Sequence, residues 1–522
     1  MKNTINHFVA LRRKYLSALI LPFVLATTCF AQSTSYLITR YGAIGDGKTD
    51  NTKAIQKAIN TVSENGGGSV VIPLGKFVTG VIELKSNIDL HFEKGATLLA
   101  TTNRIDYGPQ KASALIIANN AQHVSITGAG TIDGRGDALL KDIYRMLKAG
   151  TLKDDEWQTY NPWHQMRPEE NNRPHLIDFT NCKDVTVKNI TIRDGLCWIQ
   201  DYRNCQDMVF DNITVISNTF WNNDGIDLVD CKNVKLTNSF FNVADDGICL
   251  KSSDPNNACE NIDISHCRIR SSASAFKMGT ASFGGFKKIK MHDIEVYDTY
   301  RSAIAIETVD GGVIEDIDIR NVNAKNTGNA IFLRLGQRNK NAAPGTLRRV
   351  YIANVKAQVP AGKPDAGYHM EGPPLKFKHH VFPSGIDGIP GYIVQDVTLE
   401  NIDITYEGTT AKTGYTKFNS DNLATIPEVI DNYPEFSMFG ELPAWGFFVR
   451  HADGINFKNV KLSYQKNDLR AACVFDDVKN VNIDGLHINK TQISPTVVIH
   501  NSTTTTVNVN VAGKKTKDIL IK

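Results

Sequence analysis

The chain has 522 residues, of which 41% are hydrophobic, 58 are basic and 55 are acidic. This length would allow about three domains of average size, with ample apolar material for a core. The near balance of charge excludes the basic footprint of a nucleic-acid-binding protein, so no nucleic-acid partner is expected.

The chain begins with a segment typical of a secretory signal. Four basic side chains within 2–14 precede an apolar run over 15–30 that is too short to span a membrane. We therefore predict a signal peptide over 1–31, cleaved after Ala31, and a secreted or periplasmic mature protein. Lipidation at Cys29 is the alternative, and no later segment is apolar enough to cross a bilayer.

The first predicted element after the leader is a short helix. Residues 50–59 read DNTKAIQKAI, which combines an N-cap residue with apolar positions three to four apart. A repeat that follows would leave its first unit open to solvent, and this helix would cap it.

The repeat is visible in the first apolar residue after each predicted turn. The spacings between these residues are 23, 26, 28, 27 and 28, for Val185, Met208, Val234, Ile262, Ile289 and Ile317. Val124 precedes the series, and it resumes after longer loops at Val350, Val397, Ile455 and Val481. Short Val/Ile runs with Asn and Gly turns at this period predict a parallel β-helix, whereas leucine-rich repeats would need a Leu-rich ladder.

Four cysteines follow the same period. Each precedes a short alternating strand: Cys182, Cys205, Cys231 and Cys259. In a stacked solenoid they form an internal ladder of small apolar groups, which we favour over disulfides or metal binding.

We expect a single domain over 32–522, because no convincing linker interrupts the repeat. Three segments break the period, at 135–175, 359–391 and 410–447. These are interpreted as loop insertions, which tend to carry binding groups. The last two could close one end of a cleft and so favour cleavage at a chain end.

Two segments one period apart carry aspartates followed by Gly-Ile: DGI at 224–226 and DDGI at 245–248. If one coil takes 21 to 28 residues, Asp224 and Asp245 project from one face at neighbouring heights. Inverting glycoside hydrolysis uses an acid and a base about 6.5–9.5 Å apart. A third carboxylate, Asp246, would help keep the acid protonated. The alternative is that these are turn residues, and Asp227 and Asp230 are assigned to structure.

At this point the sequence resembles the polygalacturonase family, glycoside hydrolase family 28, whose fold is a right-handed parallel β-helix. The resemblance covers most of the chain and begins with YGAIGDGKTDNT at 41–52 and GAGTIDG at 128–134. Its most specific part is NNDG at 222–225 followed by DD at 245–246, similar to the family's Asn-Thr-Asp and Asp-Asp motifs.

The resemblance implies an all-β, right-handed parallel β-helix (solenoid) with the short N-terminal helix as its cap. It also implies an inverting hydrolase that acts on a pectin-type polysaccharide or oligosaccharide without a cofactor or metal. Asp245 would be the general acid, while Asp224 and Asp246 would hold the attacking water.

Two further motifs of the family are absent. Residues 275–285, where Gly-His-Gly is expected, contain no histidine, and Ala305 and Glu307 stand where Arg-x-Lys is expected. In the family the Arg and Lys bind a galacturonate carboxylate, and a glutamate there would repel it. Either a neutral sugar binds, with Glu307 accepting from hydroxyls, or other cations reach the carboxylate. We favour an atypical specificity within pectin or another cell-wall glycan, and a catalytic Glu307 is a minor alternative.

The substrate-binding candidates are drawn from these motifs, from nearby cations and from the tryptophans best placed to stack on a sugar. They are Asn222, Lys251, Lys277, Thr280, Arg301, Glu307, Trp221 and Trp445. Trp157, Trp163 and Trp198 also occur in or near irregular segments, and each tryptophan could equally be a core residue.

Two rival functions stay open on the sequence. A polysaccharide lyase would use the three aspartates to bind calcium, but the basic residue it needs is missing at the expected position. A non-catalytic carbohydrate-binding or adhesion solenoid would bind a glycan without turnover. Clustered carboxylates disfavour it, because like charges are costly to keep together.

Overall fold

The computed structural model describes residues 35–155, 157, 168–409 and 418–522. The chain is mostly β, with 52% of residues in strands and 9% in helices, which confirms the predicted class at that level. Ser35–Lys522 form one compact unit. The predicted signal peptide over 1–31 and Trp163 lie outside the described residues. No helix within the described ranges is both long and apolar enough to pass through a membrane.

The first strands are short. They are β1 Ser35–Leu37, β2 Asp46–Asp50, β3 Gly68–Ile72, β4 Gly75–Thr79, β5 Ile82–Leu84, β6 Ile88–Phe92, β7 Ala96–Ala100, β8 Ile116–Asn119, β9 Gln122–Gly128 and β10 Thr131–Asp133. The next set surrounds the aspartate motifs: β11 Ile177–Thr180, β12 Lys183–Lys188, β13 Thr191–Arg193, β14 Gln200–Arg203, β15 Gln206–Asp211, β16 Thr214–Ser217, β17 Ile226–Val229, β18 Lys232–Thr237, β19 Phe240–Val243, β20 Ile248–Ser252, β21 Cys259–Ser265, β22 Arg268–Ser271 and β23 Phe276–Ser282.

The later strands are mostly longer. They are β24 Gly285–Thr308, β25 Val313–Leu335, β26 Thr346–Val359, β27 Ser384–Asp387, β28 Val394–Tyr406, β29 Ala444–Tyr464, β30 Ala471–Lys479, β31 Val481–Ile488, β32 Val497–His500, β33 Thr504–Val511, β34 Lys514–Lys515 and β35 Ile519–Ile521.

Parallel pairing between distant strands dominates the sheet. Each strand from β7 to β20 pairs in parallel with the third strand after it. We call the stretch between a residue and its register partner one coil. The register joins every consecutive member of the predicted apolar series from Val124 to Ile455. The predicted period is therefore the stacking period of the strands.

Two α-helices are present among the described residues, α1 Thr52–Glu64 and α2 Gly136–Lys148. Helix α1 begins and ends later than the predicted helix over 50–59, and it packs against β1, β3, β5 and β6. Helix α2 lies in the segment 135–175 that we interpreted as a loop. It buries Leu139, Ile143 and Met146, whose spacing of four and three residues is typical of an amphipathic helix. The short 3₁₀ helices are Ile38–Tyr41, Arg104–Tyr107, Glu170–Asn172, His379–Val381 and Leu423–Thr425.

Asparagines in left-handed backbone conformation mark one line of turns along the stack. Asn321, Asn354, Asn401 and Asn459 have φ between 50° and 56°, a region that asparagine tolerates better than most residues. The side-chain Nδ2 of each of the last three donates to the side-chain Oδ1 of the asparagine before it, at 2.9, 3.1 and 2.7 Å. We call these four residues the asparagine ladder.

The interior carries the predicted cysteine ladder. Cys182, Cys205, Cys231 and Cys259 are buried free thiols that pack in the main hydrophobic core. The backbone N–H of Cys182 donates to the Cys205 sulfur at 3.3 Å, which places the two side chains in neighbouring coils. These residues act as small apolar filling between stacked coils, as the ladder interpretation predicts.

A column of charged residues runs through the later strands. Acidic and basic residue types alternate along its consecutive register partners: Glu307, Arg334, Asp387, Arg450, Asp476 and His500. The first five are buried. Arg450 Nε lies 3.1 Å from Asp476 Oδ2, and His500 Nδ1 lies 2.7 Å from Asp476 Oδ1. We call this column the alternating ladder.

Candidate active site

A cleft of about 360 Å³ opens over strands β17, β20 and β23. Eight of the eleven predicted site residues line it: Asn222, Asp224, Asp245, Asp246, Lys251, Lys277, Thr280 and Arg301. Three further residues complete the lining, namely Glu170, Trp198 and Tyr433.

The two aspartate motifs occupy equivalent places in successive coils. Strands β17 and β20 are parallel neighbours, and the residues two positions before their first register pair are Asp224 and Asp246. The N–H of Gly225 donates to the Asp246 carbonyl at 2.9 Å, and a Cβ on Gly225 would lie 2.4 Å from the Gly247 carbonyl oxygen. Glycine therefore follows each aspartate because the coils approach too closely there for a side chain.

Asp224, Asp245 and Asp246 each place one carboxylate oxygen within 4.8 Å of the others. A water makes hydrogen bonds of about 2.8 Å, so one water oxygen can contact two of these carboxylates at once. The nearest oxygens of the three carboxyl groups therefore form one cluster, to which both successive coils contribute.

Lys251 neutralises the inner side of this triad. Its Nζ lies 2.7 Å from Asp227 and 3.3 Å from Asp224, and both aspartates are almost fully buried. The same ammonium lies 4.5 Å from the centre of the Trp198 ring, a cation–π contact at the edge of the cleft. Asp227 therefore supports the site from behind, in agreement with its assignment to structure.

Lys277 neutralises the opposite side. Its Nζ lies 3.1 Å from Asp246 and 3.9 Å from Glu307, and it donates to the Tyr433 hydroxyl oxygen at 2.7 Å. Asp246 also accepts from the Ser274 backbone N–H at 3.0 Å. This lysine thus joins the catalytic candidate to a buried glutamate and to a tyrosine from a distant part of the chain.

These surroundings push the carboxyl pKa values apart. Desolvation and the adjacent Asp246 charge raise the pKa of Asp245. Burial acts to raise the pKa of Asp246 as well, but the charges of Lys277 and Lys251 outweigh it and hold that pKa below its ordinary value. Burial and the nearby Asp227 raise the pKa of Asp224 well above its usual range. Asp246 is therefore the carboxylate that ionises most readily, and Asp245 retains its proton longer.

Three predicted site residues do not line the cleft. Glu307 is 2% exposed and lies behind Lys277, where burial raises its pKa to about 8. Trp221 is buried in the core, and its carbonyl accepts from Arg173. Trp445 is enclosed by aromatic rings of the core, with ring centres 5.7 Å and 5.1 Å away. This corrects the expectation that Trp221 and Trp445 present sugar-stacking surfaces, because the interior already covers their rings.

The cleft's aromatic side chains are Trp198 and Tyr433 instead. Trp198 is half-buried and stacks on His175 at 5.8 Å, and its place before β14 could have been inferred from the coil period. Tyr433 and Glu170 come from irregular segments outside the repeat, where no period indicates which residues return to the cleft.

The three aspartates also form the kind of oxygen cluster that could hold a divalent cation. Two ammonium groups already lie within 3.3 Å of its carboxylates. The donor set therefore carries its own positive charges, and it fits a metal ion poorly.

Comparison with known proteins decides the family. The model of the protein family described as "Glycosyl hydrolases family 28" matches residues 63–366, which is more than half of the chain. The chain belongs to this family.

Relatives of this family 28 member include a probable polygalacturonase from Vitis vinifera, 27% identical over 329 residues, and an endo-polygalacturonase from Pectobacterium carotovorum, 24% identical over 299 residues. The matches cover 58% and 54% of this chain and 62% and 71% of the relatives, so the chain spans less than two thirds of the grape protein. A hyperthermoactive exopolygalacturonase from Thermotoga maritima has a similar fold, with a TM-score of 0.55 and 23% identity over 72% of this chain and 87% of that one.

Proposed function

We propose that the chain is an exported glycoside hydrolase that cleaves a pectin-type, acidic polysaccharide or oligosaccharide with aspartates as acid and base. The observation that carries this proposal is the triad of Asp224, Asp245 and Asp246 in one cleft with divergent pKa values. A proton donor and a proton acceptor side by side are what hydrolysis of a glycosidic bond requires.

Asp245 acts as the general acid and protonates the leaving oxygen, because its pKa is raised and it is the least buried of the three aspartates in the cleft. Asp224, whose pKa is raised as well, is buried beside Lys251. Asp246 acts as the base for the attacking water, since Lys277 and Lys251 favour its ionised form. Asp224 holds the same water from the neighbouring coil. Burial keeps Asp224 protonated to higher pH than Asp246, because it raises the Asp224 pKa, so Asp246 is the carboxylate available to accept the proton.

Arg301 is the cation of the cleft that favours an acidic substrate, because Lys251 and Lys277 are already paired with carboxylates of the protein. Glu307 faces Lys277 from behind. The hypothesis of a neutral sugar bound by Glu307 loses its geometric basis, because that carboxyl does not line the cleft. The polygalacturonases among the relatives point to the same class of glycan.

We infer as well that the fold is a right-handed parallel β-helix whose N-terminal end is capped by α1. The parallel pairing of every third strand and the contacts of α1 with the first strands support this inference. The signal-like leader supports export, and the single-domain assignment over 32–522 agrees with the one compact unit.

The test is proton NMR of the purified protein with a panel of pectic oligosaccharides, including rhamnogalacturonan fragments and neutral side chains. Asp245→Asn is assayed beside it, and Asp387→Asn is the matched control because Asp387 is a buried carboxyl outside the cleft. A new reducing end, absent with Asp245→Asn and present with Asp387→Asn, is the expected result.

The first anomer observed also decides the stereochemistry of the reaction. An initially inverted anomer supports a single displacement in which water attacks directly. An unsaturated uronate would show a lyase instead, and the raised pKa values of Lys251 and Lys277 already disfavour either as its base. Binding of a glycan without any turnover would contradict the hydrolase proposal and support a binding solenoid.

A further inference from the structure

The three cations of the cleft differ in how completely they are paired. Lys251 has two carboxylate partners, and Lys277 has two carboxylates and a phenol. Their positive charge is therefore largely used inside the protein. Neither ammonium group attracts a substrate anion as strongly as an unpaired cation would.

Arg301 is different. Its Nε lies 3.4 Å from Glu435, and within the described part of the chain its two terminal nitrogens make no hydrogen bond. Its guanidinium also lies 5.6 Å from the centre of the Tyr433 ring. The side chain is thus oriented by an ion pair that its Nε makes with Glu435 without a hydrogen bond, and by an aromatic face. The outer edge keeps four N–H groups for another partner.

Glu435 and Tyr433 belong to the insertion over 410–447, and a neighbouring residue ties them to the sheet. Glu428 pairs with Arg450 at 2.9 Å and with His451 at 3.1 Å. Its carbonyl accepts from Arg334 at 2.8 Å. The two residues that touch Arg301 therefore come from an anchored segment.

We propose that Arg301, oriented by Glu435 and Tyr433, is the specificity-determining residue that binds a carboxylate of the substrate. This inference rests on the proposed function and names the group that the cleft recognises, an ionised uronate. Arginine suits this task because its planar guanidinium can bind a carboxylate through two parallel hydrogen bonds.

The arrangement also accounts for the missing Arg-x-Lys motif. Ala305 and Glu307, which occupy those positions, are 1% and 2% exposed. Lys277 is the register partner of Ala305 and already binds Asp246 and Glu307. A cation for the substrate must therefore come from another position. Arg301 supplies it from the irregular register of β24, four residues before Ala305.

The experiment measures binding rather than turnover. The full chain carrying Asp245→Asn is titrated calorimetrically with trigalacturonate and with its fully methyl-esterified form. We expect the acid to bind at least about tenfold more tightly than the ester, because a hydrogen-bonded charge pair is worth that much or more. Adding Arg301→Gln should remove this preference, because only the binding of trigalacturonate becomes weaker. Arg301→Lys should leave an intermediate preference.

Arg268→Gln in the same background is the control, because Arg268 is an exposed arginine that pairs with a glutamate at 3.3 Å and does not line the cleft. It should leave both affinities unchanged. Thermal unfolding of each variant separates loss of the fold from loss of recognition.

Glu435 is tested as a positioning residue. Glu435→Ala should reduce affinity for trigalacturonate threefold or more while affinity for the ester is unchanged. Glu435→Gln should restore part of it, because it keeps the side-chain length and an oxygen beside Arg301 although it removes the charge of the ion pair.

The two proposals fail in different ways. If the acid is preferred and Arg301→Gln keeps that preference, the role of Arg301 is overturned while the hydrolase proposal stands. If Arg301→Gln weakens acid and ester equally, it serves general packing or the charge of Asp245, which also overturns the inference. If neither trimer binds and the unmodified chain releases no reducing end from pectic oligosaccharides, both proposals fail together.

Discussion

The cleft triad and the alternating ladder lie in the same stack of coils and use the same residue types, yet they are organised in opposite ways. In the ladder each acidic residue has basic residues as its register partners and each basic residue has acidic ones, as Arg450 has Asp387 and Asp476. In the cleft, Asp224, Asp245 and Asp246 lie beside one another.

A shifted pKa alone does not separate these regions. Burial raises the pKa of Asp387 in the ladder to about 7, even though Arg334 and Arg450 oppose the shift. What distinguishes the triad is that its carboxyl groups line a cleft together and that their pKa values shift in different directions. Alternation neutralises a buried column, whereas clustering next to solvent prepares a donor and an acceptor.

The largest effect is expected from substitution of Asp245 in the triad, and Asp387 in the ladder is the comparison. Asp245→Asn removes the proton donor, so kcat should fall by about 10²–10⁴-fold. Asp387→Asn should change kcat less than about threefold, because its carboxyl lies outside the cleft. Initial rates on a cleaved pectic oligosaccharide give the ratio, and equal losses in both variants would remove the functional distinction between triad and ladder.

The second prediction breaks the ladder itself. Arg450→Met removes the buried guanidinium between Asp476 and Glu428 and leaves these carboxylates with His500 and His451 as partners, which should cost about 3–5 kcal/mol of stability. Arg348→Met, at an arginine with 41% side-chain exposure and a glutamate at 2.8 Å, should cost less than about 1 kcal/mol. Scanning calorimetry compares the two unfolding temperatures, and a similar small shift for both would mean that the ladder is not a stabilising unit.

The third prediction concerns pH. Activity needs Asp246 ionised and Asp245 protonated, so kcat/KM should persist at acidic pH and decline as pH rises through the raised pKa of Asp245. Lys277→Met removes the main charge that lowers the pKa of Asp246, so its acidic limb should move to higher pH.

Lys288→Met is the control for this experiment, because Lys288 is an exposed lysine that pairs with Glu260. Its profile should overlay that of the unmodified protein. An acidic limb that does not move with Lys277→Met would show that another group serves as the base.

The last prediction concerns Glu307, where the two regions meet. Its pKa is about 8 in the folded protein, above the ordinary value of 4.5. The folded state therefore keeps a proton that the unfolded chain releases, and stability should be lost as pH rises from about 4.5 through 8. Glu307→Gln should flatten this decline in thermal unfolding between pH 5 and pH 9. A variant whose unfolding temperature falls as steeply as the parent's would contradict the assignment.

Much of this organisation could be predicted from local sequence. The apolar series gave correct strand registers because identical small turns and Val/Ile runs recur in each coil. The same period brought Asp224 and Asp246 into adjacent coils.

What could not be predicted came from outside the repeat. Tyr433 reaches the cleft and Glu435 reaches Arg301 from an insertion whose path depends on tertiary contacts such as the pairing of Glu428. The tryptophans were misjudged for a related reason. Exposure of Trp198 and burial of Trp445 depend on which rings pack around them, and no spacing rule reports that.

The asparagine ladder has a consequence for how such a chain can change. Its successive members are 33, 47 and 58 residues apart, yet the amide of each still reaches the one before it. The coil therefore tolerates loops of very different length as long as the turn itself is kept. New recognition loops could therefore be inserted between these asparagines while the paired strands and the turns of the ladder stay unchanged.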